Sequence, residues 1–217
     1  MQQPFAPLEG YTLAEMHIWS PALAPALPAP GEELDLEEWA RLPEDGPGEL
    51  VDGRLTEEEA PDPIHGLAVS WLIALFRTWL GGRGGFVFDS DVKFVVGPSR
   101  GRRPDVSVFF PERPAPPRRG AVREPPDVVV EVVSASPADE RRDRVEKMDD
   151  YSAFGVAYYW LVDPALGSVE IFDLVEGRFA RALAATGGLL TQVPGCPGLE
   201  LDLDALWREL ARLAANE

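Results

Sequence analysis

The run Asp127-Val-Val-Val-Glu-Val-Val133 constrains the fold more than any other stretch of this chain. Its valines are β-branched, which suits a pleated strand. A continuous β-branched run, as opposed to an alternating one, is the pattern of a strand buried on both faces. The run therefore predicts a strand inside a sheet. Glu131 breaks it. A carboxylate among valines is costly to bury unless it is paired or binds a metal. At a sheet edge it could simply face water, but the valine neighbourhood argues against an edge.

The surrounding punctuation sets the other elements. Asp35–Leu42 reads as a short amphipathic helix with Leu36, Trp39 and Ala40 on one side, stopped by Pro43 and Gly46-Pro47-Gly48. Glu49–Val51 and Arg54–Glu57 flank Asp52-Gly53, a hairpin signal. A long helix follows, with Asp62 as N-cap, Pro63 at the first position and Gly81-Gly82 at the end. Its expected core face is Leu67, Trp71, Ala74 and Leu75, widened by Leu72, Phe76 and Trp79. Strands are expected at 86–89, 91–96, 105–109 and 127–133, with a Pro/Arg-rich loop over 111–126. A second long helix should open at Ser136-Pro137-Ala138-Asp139 and end at Gly155. Strands at 157–162, 168–174 and 178–184 follow, and Asp202 or Asp204 starts a last helix. This order predicts an α/β fold: a mixed β-sheet flanked by helices. Residues 1–31 form a Pro/Ala-rich arm, and residues 32–217 the domain.

Three side chains then stand out together. Asp105 opens a strand after Pro104, Glu131 lies within the valine run, and Lys147 lies on the helix that follows. Two carboxylates and an ammonium in this order suit a Mg²⁺-dependent phosphodiester hydrolase. Lys147 and Lys93 are the two lysines among eighteen arginines. Lysine shifts its pKa when buried and arginine does not, so a retained lysine has meaning. For Lys93 chance retention is the favoured account. Asp143 and Tyr151, four residues to either side of Lys147, share its helix face and would position it. Each residue alone has a plainer reading: a solvated strand-end Asp105, a solvated Asp143–Lys147 pair, a capping His65. Glu49 and His65 are further candidates for the same cleft.

Composition limits the alternatives. The net charge of −17 argues against a general nucleic-acid binder. The charge is uneven: residues 32–62 hold 13 acids and 2 arginines, whereas residues 99–147 hold 11 bases and 9 acids. The arginines of 100–123 would contact phosphates. The single cysteine, Cys196, excludes an intramolecular disulfide and a cysteine-rich zinc site. No apolar run reaches the roughly 18–20 residues of a membrane span, and no signal peptide is visible. A cytoplasmic, membrane-free protein is expected, and abundant Arg and Pro with one Asn fit a thermophilic source.

Six short segments carry a resemblance. They are Gly48-Glu-Leu-Val-Asp-Gly53, Pro63-Ile-His65-Gly66, Arg103-Pro-Asp105-Val-Ser-Val108, Pro126-Asp-Val-Val-Val-Glu131-Val-Val-Ser134, the helix from Arg142 through Lys147 to Tyr151, and Tyr159-Trp-Leu-Val-Asp-Pro164. In this order they resemble the Uma2 family of the PD-(D/E)XK nuclease superfamily, over roughly residues 35–207. The resemblance implies a restriction-endonuclease-like core, with Asp105 and Glu131 as the superfamily's acids. The superfamily pattern has a lysine two residues after the Glu, where this chain has Val133, and the resemblance implies that Lys147 takes that role. The expected activity is metal-dependent endonuclease cleavage of nucleic acid, DNA first. Asp105, Glu131 and the Val132 carbonyl would hold Mg²⁺ or Mn²⁺. A homo-oligomer is expected. A catalytically silent nuclease-fold module, acting in protein or nucleic-acid interaction, is the alternative. A glycosidase pair ranks lower, because no sugar-stacking constellation is present.

Overall fold

The computed structural model describes residues 27–43, 48–56, 62–134 and 141–214. The start expected at Ser136–Asp139 for the second long helix lies outside them, as do Glu57 and the arm before residue 27.

The valine run is β7 (Val128–Val132), and every residue in it is buried. It lies inside a six-stranded mixed sheet of order β10-β9-β8-β7-β6-β3. The partners are β3 (Phe86–Phe88), β6 (Val106–Phe109), β8 (Tyr158–Asp163), β9 (Ser168–Val175) and β10 (Arg178–Ala185). β7 runs antiparallel to β6 and parallel to β8. Val128, Val130 and Val132 point to one face, into the core beneath α2 (Pro63–Leu80) and α4 (Leu203–Ala214). Val129 and Val133 point to the other, against Phe94, Phe109, Tyr151 and Tyr159. Both faces are covered, so the uninterrupted apolar pattern is satisfied.

A second, four-stranded sheet lies apart from the first, in the order β2-β1-β5-β4. It consists of β1 (Glu49–Val51), β2 (Arg54–Thr56), β4 (Phe94–Gly97) and β5 (Arg100–Arg102). The mixed sheet flanked by helices is as expected, and this small sheet is an addition to it. Arg100-Gly-Arg102 has no strand propensity, and it becomes a strand by pairing with β4 and β1. The β1–β2 turn is as expected, with Asp52 and Gly53 both at positive φ (52° and 74°). α1 (Leu36–Arg41) opens with a reciprocal capping box between Asp35 and Glu38 and lays Trp39 on β5. The Lys93 ammonium donates to the carbonyls of Trp39 (3.1 Å) and Leu42 (2.7 Å), so it caps the C-terminus of α1.

α2 has the expected caps: Asp62 accepts from the His65 N–H, and Gly81 is left-handed at φ 42°. Its buried stripe differs from the expectation. Ala68, Leu72, Phe76 and Leu80 are buried, Leu67, Trp71 and Leu75 flank them, and Ala74 is exposed. The apolar arc spans most of the helix, and the sheet and α4 decide which line faces inward. By length and composition α2 could also cross a membrane, but this stripe packs into the core. Arg142–Lys147 winds as a π-helix and continues into α3 (Met148–Phe154), which ends at left-handed Gly155 (φ 96°). Asp202 caps α4 by accepting from the Ala205 N–H. A two-residue ladder, β11 (Leu189–Leu190) with β12 (Leu201–Asp202), was not expected.

Candidate active site

The β6–β7 register sets Val106 opposite Val130. Extended by one residue, it sets Asp105 opposite Glu131. Alternation along the strands aims both away from α2's core, toward the face where α3 and the small sheet pack. Asp105 is held at two points: its Oδ2 accepts from the Val132 N–H (2.7 Å) and meets His65 Nε2 (3.1 Å). His65 arrives from the first turn of α2, so one element caps itself and reaches the site with consecutive groups. Burial works against His65 carrying a charge, but its hydrogen bond with Asp105 and that residue's charge win, and its pKa is raised.

Glu131 is 1% exposed and Lys147 4%, and the Lys147 ammonium donates to Glu131 Oε2 at 2.9 Å. The other Glu131 oxygen accepts from the Tyr151 hydroxyl at 2.8 Å. Asp143 lies 3.4 Å from the ammonium and Glu49 3.8 Å. Three carboxylates therefore surround one ammonium. The residues picked from the sequence, Glu49, His65, Asp105, Glu131, Asp143, Lys147 and Tyr151, form one connected cluster. Tyr151 bonds Glu131, the partner of Lys147.

Negative charge exceeds positive charge here. Burial pushes the Glu131 carboxyl well above the ordinary carboxylate range; Lys147 pulls it back, and Asp105, Asp143 and Glu49 push it further. Asp143 is raised by burial in the same way, against the pull of Lys147. Glu49 goes the other way. Burial alone would raise it, but Lys147, Arg102 and the Arg103 N–H together lower it. Burial holds Tyr151 and Tyr159 as neutral phenols. Tyr159 donates to the Asp143 carbonyl (2.8 Å) and so supports the π-helical turn.

The sequence reading missed Arg102 and Asp150. Arg102 is fully buried, with Nη1 2.6 Å from Glu49 Oε2, and Nε (2.8 Å) and Nη2 (2.6 Å) on Asp150 Oδ2. Asp150 was readable in principle, since it stands one helical turn beyond Lys147. Arg102 had no sequence signal. Most arginines of the 100–123 region are paired with carboxylates of the chain itself. Arg100 pairs with Asp52 and Asp150, Arg103 with Asp91, Arg113 with Asp127 and Arg123 with Glu37.

Among the described residues, no group of three or more His, Cys, Asp or Glu side chains is arranged to hold a metal. Cation binding would therefore draw a third donor from the main chain. Asp105, Glu131 and the Val132 carbonyl are hard oxygen donors of the kind Mg²⁺ and Mn²⁺ prefer. Each Glu131 oxygen has a second lone pair beyond the hydrogen bond seen, and Asp105 would offer Oδ1, since its Oδ2 already meets Val132 and His65. The anionic surplus around Glu131 is also what a cation would relieve, so the donor set fits. Val133, at the superfamily's lysine position, lines a cavity of about 130 Å³ with Asp62, Ile64, His65, Pro164 and Ala165.

The chain resembles a solved structure described as "a putative nuclease belonging to DUF820" from Anabaena variabilis ATCC 29413. The TM-score is 0.65 at 21% identity, over 82% of this chain and 99% of that one. This likeness supports the restriction-endonuclease-like α/β fold. No curated protein matches the chain. The family model of Uma2, described as "Putative restriction endonuclease", matches residues 34–204. With that match over most of its length, the chain belongs to the Uma2 family.

Proposed function

We propose that the protein is a metal-dependent endonuclease that hydrolyses phosphodiester bonds in nucleic acid, with DNA as substrate and Mg²⁺ or Mn²⁺ as cofactor. The observation that carries this reading is the buried Glu131–Lys147 contact at 2.9 Å, with Asp105 across the strand pair. Family membership supports nuclease chemistry in general, and the metal and the substrate are our inference.

Asp105, Glu131 and the Val132 carbonyl would hold the cation. When bound, the metal would supply Lewis acidity toward a phosphoryl oxygen and a more acidic bound water. The Lys147 ammonium would orient the attacking water and stabilise the charge that develops on phosphorus oxygens. Tyr151 holds Glu131 in its rotamer, and Asp143 restrains Lys147 from within the same π-helical turn. His65 fixes the Asp105 carboxylate and can exchange a proton with it at Oδ2. Residues 32–217 would form the catalytic unit, with the Pro/Ala-rich arm outside it.

The test is cleavage of plasmid and single-stranded DNA with Mg²⁺ or Mn²⁺. The wild type should cut, and Asp105→Ala and Glu131→Ala should each lose about 10²-fold or more. Variants that cut like the wild type would sink the assignment. A second reading, a silent nuclease-fold module, is favoured by the lack of a three-side-chain metal group among the described residues. It predicts no cleavage and no rise in Tm on adding Mn²⁺, because a ligand that binds only the native state raises Tm.

A further inference from the structure

We propose that Arg102 is a positioning residue: its buried guanidinium ties Glu49 to Asp150 and thereby sets the Lys147 ammonium against Glu131. The effect on cleavage rests on the nuclease reading above, whereas the effect on the position of Lys147 does not.

A lysine on β7 would be aimed by the strand itself. Lys147 stands on a helix, so the position of its ammonium depends on how that helix sits on the sheet. The π-helical turn has no side-chain cap at its start. The next turn supplies the restraint. Asp150, three residues beyond Lys147, accepts from Arg102 Nε on Oδ2, with Nη2 at ion-pair distance from the same oxygen. The third arm takes Glu49 Oε2. The other oxygen of Glu49, Oε1, accepts from the Arg103 N–H (2.9 Å) and faces the Lys147 ammonium at 3.8 Å. One planar fork therefore fixes the helix through Asp150 and orients the carboxylate that faces the ammonium.

Chemistry and burial say this is no accident of surface pairing. The Arg102 and Glu49 side chains are both 0% exposed. A buried ion group of this kind is seldom needed for stability, because apolar residues of similar volume often serve as well or better. What it adds is a defined geometry. Arginine suits the role through its rigid fork with donors in three directions, which the point charge of lysine lacks. Arg100 reinforces the arrangement by joining Asp150 to Asp52 at the β1–β2 turn. The small sheet is thus the part of the fold that seats the catalytic helix, and Glu49 acts through Lys147 and touches no substrate.

The test uses the fact that the chain has two lysines. Full-length protein labelled with ¹³C,¹⁵N-lysine gives two side-chain Cε–Nζ signals, and loss of one in Lys147→Met assigns them. In Arg102→Gln and in Asp150→Asn, which add no lysine, the Lys147 signal should shift or broaden while the Lys93 signal stays. On plasmid, kcat should fall about 10–10²-fold, the scale of a small misplacement of a catalytic group, with KM little changed. The exposed Arg212→Gln serves as control and should alter neither signal. If Arg102→Gln fails to fold, Asp150→Asn decides. A Lys147 signal at its wild-type position in the folded variants overturns the proposal, and so does a displaced signal with wild-type kcat. If the wild type itself does not cut DNA, the nuclease reading fails, and the spectrum alone decides whether Arg102 positions Lys147.

Discussion

Glu131 is the residue where function and stability pull apart. Its folded pKa lies above the unfolded value, so the folded state holds its proton more tightly. Stability therefore declines as pH rises from the ordinary carboxylate value through the raised one. Glu131→Gln removes one of four anions from the cluster and keeps an acceptor for Tyr151 or Lys147. Lys147 retains Asp143 and Glu49 as partners. At pH 8 the variant should melt at or above the wild-type Tm, by roughly 2–4 °C for each ~1 kcal/mol of relief. The gap should close toward pH 4.5, where the wild-type group is neutral too. Cleavage should be lost throughout. Thermal melts across pH check this, and a lower Tm at pH 8 contradicts it. Glu131 was legible in the sequence because an acid among valines needs a reason. Arg102 was not, because a buried arginine is spelled like an exposed one.

At the scale of elements, the small sheet and the π-helical turn are the parts that local pattern did not reveal. β5 is Arg-Gly-Arg, and it is a strand because its neighbours pair with it. Its glycine has a steric reason: a Cβ on Gly101 would run into the Trp39 ring. Gly101→Ala should therefore cost about 1–3 kcal/mol, as overpacking does. Cleavage should fall further than the lost stability explains, because β5 carries Arg102. Chemical denaturation and activity measured well below Tm check the two parts. Wild-type stability in this variant would contradict the packing described. The π-helical winding of Arg142–Lys147 escapes a reading based on the 3.6-residue period. It brings Asp143 and Lys147 to within 3.4 Å of each other.

For the whole molecule the governing quantity is charge. The chain carries −17 overall, and most arginines of the 100–123 region are neutralised by its own carboxylates. A basic DNA binder loses roughly 10³–10⁵ in affinity between about 50 and 200 mM salt. Here the paired arginines have fewer counterions to release, and added salt screens the repulsion between the acidic protein and DNA. The KM for plasmid should therefore change by less than about tenfold over that range. A steep loss of affinity with salt would show that a basic surface dominates after all.

The sequence by itself determined the class of fold, the order of the longer strands and helices, the caps of α2 and the β1–β2 turn. These follow from local rules: β-branched runs, the Asp-Gly turn, Asp at helix starts and glycine at helix ends. It also singled out Asp105, Glu131 and Lys147, because charged groups in or beside buried segments must be compensated. Tertiary structure alone decided which stripe of α2 faces inward, that β1, β2, β4 and β5 form their own sheet, and that Arg102 serves the site instead of solvent. The physical reason is common to all three. Each depends on what packs opposite, and residues distant along the chain supply that surface.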